Sequence, residues 1–263
     1  MSNHKRRMTL GKRKTGELRK EQQHQVKKFQ KNEMQIVETI DFNKEHYKRQ
    51  RKPIDLLPQS INQEKYILSL IDNELDIVVV SGPAGTGKTY LAMLAAIKSL
   101  RNGNCEKIIL TRPAVAVDDE KHGFLPGDLN NKMEPWIRPL LDVLKEYYST
   151  KELKYMIEEQ IIEITPLAFC RGRNFKKAFV ILDEAQNATP SQIKMLMTRI
   201  GEGSKIVITG DIEQTDRRTN DNGLLDLTTR LQYHPVKRIG VCEFESRDIR
   251  RHKIIEHVLN LYR

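Results

Sequence analysis

The stretch Asp76-Ile77-Val78-Val79-Val80-Ser81-Gly82-Pro83-Ala84-Gly85-Thr86-Gly87-Lys88-Thr89 decides the fold. Its first half is a short, β-branched apolar run, which reads as a strand buried on both faces, as in a parallel sheet. Its second half fits G-x-x-x-x-G-K-[ST], and a helical pattern running to about Leu100 follows at once. A strand before and a helix after is the context that this phosphate-binding motif requires. Glycines at Gly82, Gly85 and Gly87, with Pro83, Ala84 and Thr86 between them, let backbone N–H groups close around phosphate oxygens. The helix N-terminus adds its partial positive charge. Lys88 is then expected to reach the β- and γ-phosphates, and the Thr89 hydroxyl to sit on Mg²⁺.

Further along, the apolar run Ala178–Leu182 ends in Asp183-Glu184-Ala185-Gln186. A carboxylate at the carboxyl end of a buried strand is well placed for the Mg²⁺ of a bound nucleotide, so Asp183 is the metal candidate. Glu184 is the candidate to orient and deprotonate an attacking water. A third strand, Lys205–Thr209, leads into Gly210-Asp211-Ile212-Glu213-Gln214, where the Gln214 amide can contact the γ-phosphate or the lytic water. Gln63 starts a helical pattern 25 residues before Lys88 and is a lesser candidate for the adenine edge; an exposed glutamine opening a helix fits it as well.

Around these motifs, strands and helices alternate. Lys107–Thr111, Ile161–Thr165 and Arg238–Phe244 read as strands. Met133–Tyr148, Pro190–Ile200, a segment near Leu224–Arg230 and Asp248–Tyr262 read as helices, with Thr189 as N-cap and Pro190 in the first helical position. In the helix led by Ser60, the residues Tyr66, Ile67, Leu70 and Ile71 form one apolar face. Ala114–Asn131 has no period and reads as a long functional loop. The expected class is α/β, with a mainly parallel sheet.

The chain has 263 residues and a formal net charge of +10. Residues 1–52 hold 16 Lys/Arg, 6 Asp/Glu and only 12 hydrophobic residues, whereas the other 211 residues hold 29 of each charge. The basic excess therefore belongs to an N-terminal extension (1–52), too poor in apolar groups to form a core and expected to be disordered or partly helical, around Glu17–Met34. The neutral region 53–263 is long enough for one compact domain. This distribution excludes a uniformly basic, histone-like protein. Cys105, Cys170 and Cys242 lie far apart, without disulfide or metal spacing, as in a reducing cytosol. No apolar run reaches the ~18 residues of a membrane span, and the basic start lacks the apolar core of a secretory signal. A cytoplasmic location is expected, with no membrane partner.

The set Asp183–Gln186, Gly210–Gln214 and the upstream Gln63 resembles the first RecA-like domain of superfamily 1 helicases. Adding Gly82–Ala92, Thr111–Val115, Gly123–Leu129, Arg138–Leu140, Pro166–Arg173 and Thr198–Ser204, the chain over roughly Pro58–Val258 resembles the PhoH family of phosphate-starvation-inducible ATPases. That resemblance implies a single RecA-like P-loop domain that uses ATP and Mg²⁺. Some members carry a fused PIN nuclease, for which 52 residues leave no room, so no intrinsic nuclease is expected. A single RecA-like domain lacks the second domain that supplies arginines to the transferring phosphate, a clamp worth ~10³–10⁵ in rate in related phosphoryl transfer. A neighbouring subunit can supply it across a head-to-tail interface, which closes into a ring. The expectation is a homo-oligomer, a hexamer by resemblance, with Arg251, then Arg217 or Arg218, acting in trans. Arg112, Lys132, Trp136 and Arg138 stand where superfamily 1 enzymes touch nucleic acid, and Trp136 or Phe124 can stack on bases or belong to the core. The expected partner is single-stranded nucleic acid, RNA ahead of DNA, moved by a translocase or helicase; the alternative is an ATP-gated RNA-binding scaffold or adaptor that does not unwind. The basic extension is either a nucleic-acid tether or a solubilising tail.

Overall fold

The computed structural model describes residues 52–113, 138–215 and 221–250. The expected features at 1–51, 114–137, 216–220 and 251–263 lie outside the described residues. Among them are Phe124, Lys132, Trp136, Arg217, Arg218 and Arg251.

In chain order the elements are α1 (Ile61–Ile71), β1 (Ile77–Ser81), α2 (Lys88–Arg101) and β2 (Lys107–Arg112). A helical stretch at residues 138–145 follows, then α3 (Thr150–Glu158), β3 (Ile162–Pro166), β4 (Ala178–Leu182), α4 (Pro190–Met197), β5 (Lys205–Gly210), α5 (Gly223–Tyr233) and β6 (Ile239–Glu243). The six strands form one sheet in the order β3-β2-β4-β5-β1-β6, and every pairing is parallel. The α/β class with a parallel sheet is thus observed. β1, which carries the glycine-rich loop, and β4, which carries the acids, are not neighbours; β5 lies between them.

Strand periodicity explains how the sheet is covered on both sides. Successive side chains point to opposite faces, so Val78, Val80, Ile108, Leu110, Phe179, Ile181 and Val207 join one core with α1 and α2. Ile77, Val79, Ile109, Val180, Leu182, Ile206 and Ile208 join a second core with α4 and α5. Val78, Val79 and Val80 are fully buried. Each contributes about 1.5–3 kcal/mol relative to exposure, which is why the run admits no polar residue.

Local signals set most of the helix starts. Ser60 accepts from the Gln63 N–H at the start of α1, and Thr189 forms a reciprocal capping box with Gln192 before Pro190. Helix α3 is a further finding: its Ser149–Glu152 capping box marks its start, and Leu153, Met156 and Ile157 stand at helical spacing on one face. Three expectations are corrected. Ile71 is half exposed rather than part of the buried stripe, because α1 ends there. Helix α4 stops at Met197, and Ile200 instead bridges Phe175 in parallel fashion. No α-helix begins at Asp248: Ser246–Asp248 is a 3₁₀ turn, held by the Asp248 carboxylate accepting the Glu245 N–H, and Ile249 is extended.

At the amino ends of the strands, Lys205 donates to the Ser69 and Asp72 carbonyls at the end of α1. It borders a cavity of about 450 Å³. Burial pulls its ammonium down to about 8 from 10.5, against the opposing pull of Asp72 and Asp76. Between about pH 8 and 10.5 the unfolded chain therefore holds a proton that the folded chain has released, so this group makes stability rise with pH across that window. In urea unfolding at pH 7.5 and pH 10, wild type should gain stability relative to Lys205→Met on going to the higher pH. An unchanged difference between the two proteins would show that Lys205 is not desolvated.

Candidate functional site

The carboxyl ends of β1, β4 and β5 meet in one cleft, the position at which open parallel sheets bind ligands. The cleft has a volume of about 260 Å³ and is bordered by Lys88, Thr89, Asp183, Glu184, Asp211 and Gln214. Six residues that the sequence separates by up to 126 positions are thereby brought together.

The loop Gly82–Gly87 owes its shape to its surroundings as much as to its glycines. Gly82 has φ +141°, and a Cβ there would stand 2.4 Å from the Phe244 carbonyl oxygen. The end of β6 packs against the loop, and its Phe244 N–H donates to the Ser81 carbonyl. Lys88 is buried; its ammonium donates to the Gly82 carbonyl at 2.6 Å, the Pro83 carbonyl at 2.8 Å and the Thr86 hydroxyl. This folds the charge over the loop, where phosphate oxygens are expected.

Asp183 follows β4 and is almost fully buried. One oxygen, Oδ1, accepts the Thr89 hydroxyl at 2.7 Å and the Thr209 hydroxyl at 2.7 Å. The other, Oδ2, accepts Nε of Arg112 at 2.9 Å and Nη2 at 2.5 Å. A hydroxyl and a carboxylate in contact at the end of a phosphate loop are hard oxygen donors that fit Mg²⁺, which takes few protein ligands and completes its shell with phosphate and water. No group of three or more His, Cys, Asp or Glu that could hold a metal exists among the described residues. The three cysteines are buried and unpaired, and burial pushes their thiols up.

Glu184 is exposed to the cleft and adopts a left-handed backbone, φ +55°. Gln186 donates to its carboxylate at 2.6 Å, while the Gln186 carbonyl oxygen Oε1 accepts the Asp211 N–H at 3.1 Å. The glutamine that closes the Asp183–Gln186 motif thus ties the acid after β4 to the loop after β5. The fit is tight: a Cβ at Gly210 would meet Gln186 Oε1 at 2.5 Å and Leu224 at 2.7 Å. Neither Gln186 nor Gly210 stands out in the sequence, except as fixed letters of the two motifs. Gln214 borders the cleft, its backbone N–H turned back to Asp211.

Two candidate residues sit differently from their expected roles. Gln63 is buried, with its amide donating to the Thr86 carbonyl at 2.9 Å and its oxygen accepting the Gln59 N–H at 2.7 Å. It braces the glycine loop. The sequence position of Arg112 predicts a nucleic-acid contact, but its guanidinium turns inward to Asp183 with its side chain only 17% exposed. Arg138 is exposed in the helical stretch 138–145. The segment after β6 also reaches the loop: the Arg250 N–H donates to the Gly85 carbonyl at 2.8 Å, and Asn62 donates to Asp248 at 2.7 Å. These contacts across the domain are invisible in the sequence pattern.

A family profile described as "PhoH-like protein" matches residues 55–263. A PhoH-like protein of Bacillus subtilis is 40% identical over 237 residues, covering 90% of this chain and 72% of that one. A PhoH-like protein of Synechocystis is 43% identical over 205 residues, covering 78% and 61%. Protein PhoH of Escherichia coli K12 is 35% identical over 210 residues, covering 79% and 58%. The chain thus spans between about three fifths and three quarters of the length of these relatives. With a glycine loop after β1, a buried carboxylate after β4 and a parallel sheet in the order observed, the domain is a P-loop NTPase, and the chain belongs to the PhoH-like protein family.

Proposed function

We propose that this protein hydrolyses ATP with Mg²⁺ and uses the cycle to move along or unwind single-stranded nucleic acid, RNA ahead of DNA, as a homo-oligomeric ring. The observation that carries the reading is the contact of Thr89 with Asp183, beside Lys88 on one side and the exposed Glu184 on the other. Mg²⁺ would bridge phosphate oxygens and offset their charge. The chain's own groups do the rest. The loop N–H groups and Lys88 hold the phosphates, and Glu184 accepts a proton from the water that attacks the γ-phosphorus as the bond to the ADP oxygen breaks. Gln186 keeps Glu184 aimed, and Gln214 contacts the γ-phosphate or that water.

The ring reading rests on charge. The cleft needs a cation on the far side of the γ-phosphate, and a neighbouring subunit is its proposed source, with Arg251 first, then Arg217 or Arg218, and six subunits as the resemblance implies. Lys132, Trp136 and Arg138 remain the proposed nucleic-acid contacts, and the 16 basic residues of 1–52 a tether acting by counterion release. Among the described residues no helix is long and apolar enough to cross a membrane. A cytoplasmic location is part of this proposal.

Variants at the site and titrations with nucleic acid test it. Lys88→Ala should lose nucleotide binding and turnover together. Glu184→Gln should keep fluorescent-ATP affinity within a few-fold while kcat falls ~10²–10⁴-fold, the share of a general base; equal loss of binding would remove Glu184 from that role. Single-stranded RNA should raise wild-type ATPase activity, with displacement of a labelled strand, and deleting residues 1–50 should leave basal turnover intact while flattening the salt dependence of RNA affinity. Binding without stimulation would favour the scaffold, and no nucleic-acid effect would exclude both.

A further inference from the structure

Arg112 ends β2, and Thr209 lies near the end of β5; β2 and β5 are the two strands flanking β4. In register, Thr111 faces Leu182 from one side and Ile208 faces it from the other. Arg112 and Thr209 are therefore level with Asp183, one on each side, and both reach it. Thr209 and Thr89 take Oδ1, while the Arg112 guanidinium takes Oδ2 with two N–H groups. The carboxylate is buried, and a buried charge needs a partner of opposite sign with its remaining lone pairs satisfied. Arg112 meets both needs.

This has a consequence for metal entry. A divalent cation approaching Asp183 alone meets a carboxylate whose charge is already offset at 2.5 Å. A cation carried by a nucleotide brings its own excess of negative charge, which Lys88 and Arg112 favour. We propose that Arg112 is a positioning residue that turns Oδ1 of Asp183 toward Thr89 and suppresses binding of free divalent metal, so that metal enters this site as the metal–nucleotide complex. This rests on the ATP-site reading above. It also gives Arg112 a role inside the nucleotide site in place of the strand contact expected from its position in the sequence.

The test uses the full chain and Mn²⁺ as probe, with free and bound ion distinguished by electron paramagnetic resonance, without and with ADP. Wild type should bind Mn²⁺ weakly alone and tightly with ADP. Arg112→Gln should bind Mn²⁺ alone at least about tenfold more tightly, because a nearby positive charge has gone. Its melting temperature should fall without metal and recover with Mn²⁺ but not with equal ionic strength of NaCl. A merely structural arginine would not yield tighter metal binding on removal. Arg112→Lys, which keeps the charge, should bind free Mn²⁺ as weakly as wild type. Unchanged or weaker Mn²⁺ affinity in Arg112→Gln, or a tenfold tightening in Arg112→Lys, overturns the proposal while the ATP site stands if Mn²⁺–ADP still binds. Failure of wild type to bind Mn²⁺–ADP overturns the ATP-site reading itself.

Discussion

The hydrogen bond from the Thr89 hydroxyl to the Asp183 carboxylate joins two parts of the chain 94 residues apart, and the site depends on it. Thr89 opens α2 directly after the phosphate loop; Asp183 leaves the end of β4. Their strands are separated by β5, so the contact forms only if three strands end level and the helix starts at the right height. The sheet's parallel register and its two apolar faces fix those heights. Thr209 on β5 and Arg112 on β2 then hold the carboxylate from either side. Fold and site are thus one construction, in which strands buried on both faces end where polar groups are needed.

The cleft is also framed by segments far from the motifs. Gln63 of α1 bonds the loop at Thr86, Phe244 presses on Gly82, and Arg250 reaches Gly85 through its backbone. Asn62 and Asp248 tie these flanking segments to each other. Segments before β1 and after β6 therefore meet at the phosphate loop. The neutral domain places its cations at the cleft singly, Lys88 on the loop carbonyls and Arg112 on Asp183, and the +10 of the chain is carried by residues 1–52.

Much of this was legible in the sequence where burial is complete. Ala178–Leu182 and the start of β2 and β5 could be read to the residue because strands buried on both faces leave no polar interruptions. The glycine loop was legible because its chemistry constrains its letters. Helix α3 was harder, since it is only nine residues long and Leu153 is its one buried side chain; the Ser149–Glu152 capping pair and the spacing of Leu153, Met156 and Ile157 mark it. The direction of Arg112 was not legible at all. An arginine at a strand end can face solvent or a neighbouring strand, and its choice depends on Asp183, 71 residues away. Gln63 is similar: the helix start was clear, but its two hydrogen bonds to Thr86 and Gln59 come from packing of α1 on the loop.

The most direct test of the account is a crystal structure of the full chain with Mn²⁺ and a non-hydrolysable ATP analogue. The account predicts an anomalous manganese peak beside Thr89 and Asp183, the phosphates enclosed by Gly82–Thr89 with Lys88 on the β- and γ-groups, and Glu184 facing the γ-phosphate. Nucleotide found instead in the cavity beside Lys205, or metal bound away from Asp183, would contradict it.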